Sequence, residues 1–374
     1  ALAMGMIHIV ISDGLYDHTF VRDWCLGFDE LQRRVADYPL QRVAEITGLD
    51  PDDILTAARI SGTATPCVHH GRMGVQQNRN CVQTNRAISA LLAICGNLDV
   101  KGGHVSKKNK PRGFKGVFYV VDSRDELRLP AEIEDTRIGA QDYPLLSGAA
   151  SLAVSCAHPP SVVHAMLTSR PYPVRANWFL NDIAVCLEGQ RENYQSILSL
   201  DFAVGSDFFL TPTMELCDVI LPPTMWLEKD GISEVFYNQG EKDFIAARQK
   251  AVEPRGEVRD DSAIDLEIVR RMGYEIPHGW QNPQDFYDYQ LAGMGITFEE
   301  FKEIGYIQGQ VIYRRYETEG FDTPSGKVEL MASILEKHGY DPLPYYLEND
   351  VTPVTRPDLA QDYPLNLISG SRHI

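Results

Sequence analysis

Residues 204–231 read VGSDFFLTPTMELCDVILPPTMWLEKDG. They contain two apolar runs of strand length, one stopping at Ser206-Asp207 and the other at Pro222-Pro223, with a short helix-forming stretch between them. Runs of this kind, separated by helices, describe parallel strands covered on both faces. In an open parallel sheet, ligands sit beyond the carboxyl ends of the strands. The spacing therefore predicts that Ser206 and Asp207 lie at that edge. Thr211 reads as the cap of the intervening helix, with Pro212 in its first turn, leaving backbone N–H groups directed outward.

A carboxylate in Asp207's position can accept two parallel hydrogen bonds. Guanine offers two neighbouring donors, N1–H and N2–H₂, on one edge, so the residue would prefer guanine to adenine. The same aspartate also reads as the cap of the turn that follows it. Lys229 closes the next strand–loop junction, either as counter-charge to a diphosphate or as a solvated lysine.

The pattern extends outward from this stretch. SLAVSC (151–156), a helix around SVVHAML (161–167), VRANWFL (174–180), a helix around NYQSILS (193–199), DFAVGSD (201–207) and DVILPP (218–223) alternate as strands and helices. This predicts an α/β class with mostly parallel sheet. Nearer the start, ALAMGMIHIVIS is expected to be a buried helix running into a strand, and DPDDILTAARI a helix capped by Asp50 with Pro51 at its first position. PCVHH reads as a short strand before a glycine loop. The helix that follows carries Ile88, Leu91, Leu92 and Cys95 at helical spacing and stops at Gly96-Asn97. DDSAIDLEIVRRM (260–272) is an amphipathic helix, and in GFDTPSGKVEL Pro324 and Gly326 suit a type I turn between two strands.

The chain has 374 residues, 44% hydrophobic and 23% charged, enough for more than one core. No run approaches the roughly 18–20 apolar residues of a membrane-spanning helix. The net charge of −17 argues against a nucleic-acid-backbone binder. The basic stretch KKNKPRGFK (107–115) reads as a solvated loop. Seven scattered cysteines, none in a C-x-x-C pair, fit reduced thiols rather than a zinc ribbon or iron–sulfur motif within this chain. The histidines at 69, 70, 158 and 164 read as structural.

The 204–231 stretch resembles the hallmark segment of molybdopterin oxidoreductases of the dimethyl sulfoxide reductase type. GLYDHTFVRDWCLGFDEL (14–31), RMGVQQNRNCVQTNRAISALLAICGNLDVKGG (72–103), GFDTPSGKVEL (320–330) and YPLNLISGSR (363–372) agree in the same order. The resemblance implies parts of two doubly wound, dinucleotide-binding-like α/β domains. These are residues 1–104, the later part of one, and 105–360, a second carrying most guanine dinucleotide contacts. Residues 361–374 would begin a C-terminal β-barrel cap. The rest of that cap, and an N-terminal iron–sulfur domain with the metal's protein ligand, are expected outside this chain.

The implied cofactor is bis-molybdopterin guanine dinucleotide carrying molybdenum or tungsten, with an iron–sulfur cluster in the N-terminal segment. Carried across by motif, its contacts fall on Met73, Gly74, Gln77, Ser206, Asp207, Lys229 and Asp260. Asn181 alone represents the family's Asn-rich loop, because this chain reads NDIAVCLEG there. No catalytic acid or base and no metal ligand can be named. The resemblance further implies a small-molecule substrate, a partner iron–sulfur subunit for electron transfer, and a periplasmic or cytoplasmic setting that the sequence does not decide.

Three readings stay open: two-electron redox or oxygen-atom transfer, a non-redox hydration or hydroxyl transfer on the same fold, and a truncated non-catalytic module. No turnover is expected from these residues alone, and uncovered sheet edges predict self-association or marginal stability.

Overall fold

The computed structural model describes residues 1–64, 66–69, 71, 73–76, 78–104, 111–116, 129–151, 156–180, 184, 189–234 and 244–365. The chain divides into two units, Ala1–Lys108 with Ile312–Ile374, and Asn109–Val311. The segment from Ile312 therefore groups with the N-terminal unit, whereas the sequence division runs the second domain to residue 360. The physical reason is local: buried Asp99 receives the amide of Arg315 on its carboxylate at 2.8 Å and that of Arg314 on its carbonyl at 2.7 Å.

The first unit is helical: α1 (Leu2–Ser12), α2 (His18–Trp24), α3 (Phe28–Val35), α4 (Leu40–Thr47), α5 (Pro51–Thr63), α6 (Met73–Gln76) and α7 (Cys81–Ile94). Helix α1 corrects an expectation, because MIHIVI belongs to one continuous helix and forms no strand. A short apolar run cannot by itself separate a buried strand from a buried helix, and α1 is surrounded by α3, α4, α5 and α7. Packing on all sides overrides the strand preference of its β-branched residues. Gly5 permits the approach of α4, since a Cβ there would lie 2.6 Å from Val43 Cγ2.

Helix α5 starts as predicted, with the Asp50 carboxylate accepting from the Asp52 amide at 2.8 Å. Helix α7 ends as predicted, with Gly96 at φ +71° and Asn97 N–H donating to the Leu92 carbonyl at 3.0 Å. Residues 66–69 form no strand, contrary to the reading of PCVHH. The 323–326 turn is present, with Gly326 N–H donating to the Thr323 carbonyl at 3.0 Å. Only one strand flanks it, Val328–Glu329, paired in parallel with Cys25–Leu26.

In the second unit, β1 (Ala176–Leu180), β2 (Phe202–Ser206) and β3 (Val219–Ile220) form a parallel sheet in that order. The mixed α/β architecture with parallel sheet is thus as the sequence predicts. Helices α8 (Pro159–Thr168) and α9 (Gln190–Leu198) accompany the sheet, with α9 in the crossover from β1 to β2. Its core gathers Met166, Phe179, Ile197, Ala203 and Met214. The sequence did not signal an antiparallel sheet of β4 (Gly231–Glu234), β5 (Phe244–Arg248) and β6 (Tyr306–Gln308). It packs Ile245 with Phe114, Leu291, Phe298 and Phe301. Helices α10 (Asp261–Arg271), α11 (Pro283–Leu291) and α12 (Phe298–Ile304) complete the unit. The strand expected at SLAVSC falls largely on residues 152–155, outside those described.

Gly205, the last-but-one residue of β2, lies directly against Met214: a Cβ there would stand 2.4 Å from its Sδ and 3.0 Å from Cys217 Sγ. Because Met214 is fully buried, the strand end has no room to give. Gly205→Ala is expected to lower stability by about 1–3 kcal/mol through overpacking, measured by urea unfolding. An unchanged midpoint would show that Met214 can move aside.

Candidate functional site

The carboxyl end of β2 is held by its neighbour. Leu221 N–H donates to the Gly205 carbonyl at 2.8 Å, and Ser206 Oγ donates to the Leu221 carbonyl at 2.8 Å. Buried Ser206 thus spends its hydroxyl proton inside the sheet. Asp207, half-buried, is the first residue past the strand, and its Oδ1 accepts from the Phe209 amide at 3.2 Å. Among the described residues this is the only hydrogen bond that the carboxylate receives, which leaves most of its acceptor capacity unused.

Thr211 Oγ1 accepts a long 3.4 Å bond from the Met214 amide. The element it introduces is a single 3-10 turn, Met214–Leu216, whose N-cap is Thr213. Three residues of 3-10 turn supply far less of an anion-binding terminus than the helix expected from the sequence.

Lys229 is drawn to the N-terminus of α10. The backbones meet at a bridge between Pro223 and Arg259, which brings Lys229 Nζ to 2.9 Å from Asp261 Oδ2 and 3.8 Å from Asp260 Oδ1. The lysine side chain is 18% exposed. Asp260 also caps α10, accepting from the Ser262 amide at 2.8 Å. The structure thus joins two sequence-predicted residues, Lys229 and Asp260, in one ionic group. One turn along α10, Asp265 has its pKa raised by burial and then by Asp261 and Asp260, with Lys229 opposing. Tyr287, whose hydroxyl donates to the Asp230 carbonyl at 3.2 Å, is pushed up to about 12, mostly by burial. With its ammonium so engaged, Lys229 is a poor free counter-charge for a diphosphate.

The remaining predicted residues lie elsewhere. Met73 and Gly74 form the start of α6 in the first unit, where Gly74 is exposed and a Cβ on it would meet nothing within 4 Å. Among the described residues nothing in the packing demands a glycine there, which fits a backbone with room for a ligand. Gln77, Asn181 and His70 lie outside the described residues. His158 is structural, with Nδ1 2.8 Å from Ser161 Oγ and its ring stacked on Tyr143. The first unit also holds an apolar cavity of about 430 Å³ between α1 and α7, rimmed by His69, Asn80, Gln83 and Asn97.

Sequence reasoning missed Asp261, the nearer partner of Lys229. The adjacent acidic pair in RDDS was the only available signal. It also missed that Phe208, Phe209 and Leu210 stand in solvent.

Because burial and neighbouring carboxylates disfavour a charged Asp265, its folded pKa stands above the ordinary 3.8. The native state then holds the proton more tightly than the unfolded chain. Ionisation consequently costs stability as pH rises through the folded value. Asp265→Asn should raise the melting temperature at pH 7, with the gain fading as the pH falls into the range where the wild-type carboxyl is protonated. A gain independent of pH would remove the electrostatic cause.

Residues 1–271 match the family model described as molybdopterin oxidoreductase. The chain is 34% identical to acetylene hydratase of Syntrophotalea acetylenica, over all of this chain and 53% of the relative. It is 28% identical to formate dehydrogenase H of Escherichia coli, over 87% and 46%. With the thiosulfate reductase molybdopterin-containing subunit of Salmonella typhimurium the identity is 26%, over 90% and 48%. The solved acetylene hydratase from Pelobacter acetylenicus superposes with a TM-score of 0.88 at 32% identity, covering the whole chain and 53% of that structure. The chain spans about half the length of the curated relatives it matches. With motif order, parallel-sheet fold and family match in agreement, the chain belongs to the molybdopterin oxidoreductase family, of the dimethyl sulfoxide reductase type.

Proposed function

We propose that these residues form the central cofactor-holding part of a molybdenum or tungsten enzyme whose metal is carried by two molybdopterin guanine dinucleotides. Within it, Asp207 recognises a guanine base. The observation that carries this reading is the position of Asp207: one residue beyond a parallel strand, half-buried, with a single hydrogen bond from the described residues. A planar base offering two adjacent donors matches the acceptors left over. Ser206 positions that carboxylate through its own bond to Leu221. The Lys229–Asp260 group fits better as the brace of the neighbouring loop, or as acceptors for sugar hydroxyls, than as a phosphate clamp. Gly74 fits close approach of the cofactor in the first unit. When bound, the metal centre supplies the reaction, and the residues described here supply position and selectivity.

On this reading the relatives' further length supplies the remainder of the subunit. That remainder would include an iron–sulfur cluster, the metal's protein ligand and a cap that begins near residue 361. A partner electron-transfer subunit belongs to the redox form of the proposal. A second form, addition of water to a small unsaturated molecule, is favoured by one observation. Identity to acetylene hydratase is 34% across the whole chain, against 28% for formate dehydrogenase H. Water addition transfers no net electrons. The intact subunit given such a substrate should therefore turn over with no electron acceptor present, and strict dependence on an acceptor would return the assignment to redox chemistry.

Asp207→Ala in the intact subunit removes two charge-assisted hydrogen bonds, a loss on the order of 3 kcal/mol, or roughly a hundredfold in cofactor retention. Metal content and released guanine nucleotide measure it together. Asp207→Asn should be nearly as damaging, since its amide presents a donor where guanine also donates. Full metal and guanine occupancy in both variants would sink the assignment.

A further inference from the structure

We propose that the Phe209 ring is the stacking platform for the purine whose edge Asp207 reads, an inference that rests on the guanine assignment above. Phe208, Phe209 and Leu210 are 56, 77 and 67% exposed, three consecutive large apolar side chains left in water. The loop after β3 repeats the feature, with Met225 and Trp226 48 and 57% exposed. Both loops leave the sheet at the same end, because β2 and β3 are parallel neighbours with Gly205 opposite Ile220. Exposed apolar side chains of both loops thus lie at the sheet edge that carries Asp207, a carboxylate with spare acceptors.

The backbone under Phe209 is set in advance. Its amide is bound to Asp207 Oδ1, and its carbonyl accepts from the Thr211 amide at 3.0 Å. The two bonds tie the ring's attachment point to the carboxylate, so a flat group bonded at its edge by Asp207 lies within reach of the ring. The chemistry of the rim selects among occupants. An apolar protein surface would desolvate Asp207 without offering it donors, which is costly. A second copy of the chain would bring another net charge of −17 against the first. A guanine base has two faces for aromatic contact and adjacent N–H donors on one edge, and so satisfies ring and carboxylate together.

The test uses the intact subunit prepared without cofactor, titrated by calorimetry with GDP and ADP. Phe209→Ala should weaken both nucleotides about tenfold, as loss of one base–aromatic stack does, and leave the GDP-to-ADP preference unchanged. Phe209→Trp should restore both affinities. Asp207→Ala should instead erase the preference. If Asp207→Ala erases it but Phe209→Ala leaves both affinities at the wild-type value, the stacking role is overturned and the guanine assignment stands. If Asp207→Ala leaves the preference intact, the guanine assignment fails first. Unchanged nucleotide affinity in Phe209→Ala, together with loss of a dimer seen by sedimentation, would assign the rim to a second copy and overturn the proposal.

Discussion

The second unit depends on a close approach at the end of one strand. Gly205 lies against the sulfur of Met214, receives the Leu221 amide on its carbonyl, and is followed by a serine whose hydroxyl also goes to Leu221. Any side chain at 205 would push the buried methionine, and with it the loop that returns the chain to β3. These contacts together leave Asp207 no freedom to slide along the strand. The backbone that carries the carboxylate is therefore fixed at the rim, although among the described residues one hydrogen bond holds the side chain.

Much of this arrangement was legible because it follows local rules. An apolar run that stops at Ser-Asp reads as a strand end, Asp50-Pro51 as a helix start, and Gly96-Asn97 as a helix stop, and each stands as read. MIHIVI was not legible, because whether such a run becomes strand or helix is decided by what surrounds it, and α1 is surrounded by helices. The antiparallel sheet was hidden for another reason: β5 pairs with β6, three residues some sixty positions away. The engagement of Lys229 was hidden as well, since the bridge between Pro223 and Arg259 brings α10 to it and no spacing rule encodes that meeting.

The same engagement shapes what the rim can recognise. With the Lys229 ammonium balanced by Asp261 and Asp260, the group around it carries more negative than positive charge. The proposed reading accordingly puts selectivity on the base, through acceptor geometry and apolar contact, rather than on the phosphates. Such recognition is short-ranged and little screened by salt. It discriminates between nucleotides by the donors on their edges.

The first unit is closed by residues that follow the whole of the second, from Ile312 onward, with Asp99 bonded to Arg314 and Arg315. On a ribosome this imposes an order of events. The helices of residues 1–108 emerge, then wait while residues 109–311 are made, roughly 10–40 s at elongation speeds of about 5–20 residues per second. During that interval Phe20 and Trp24 lack the Tyr316 and Phe321 rings that later pack on them. Nascent chains of this protein thus pass through a prolonged stage with an open aromatic seam, the kind of exposed apolar surface on which unfinished polypeptides stick to one another.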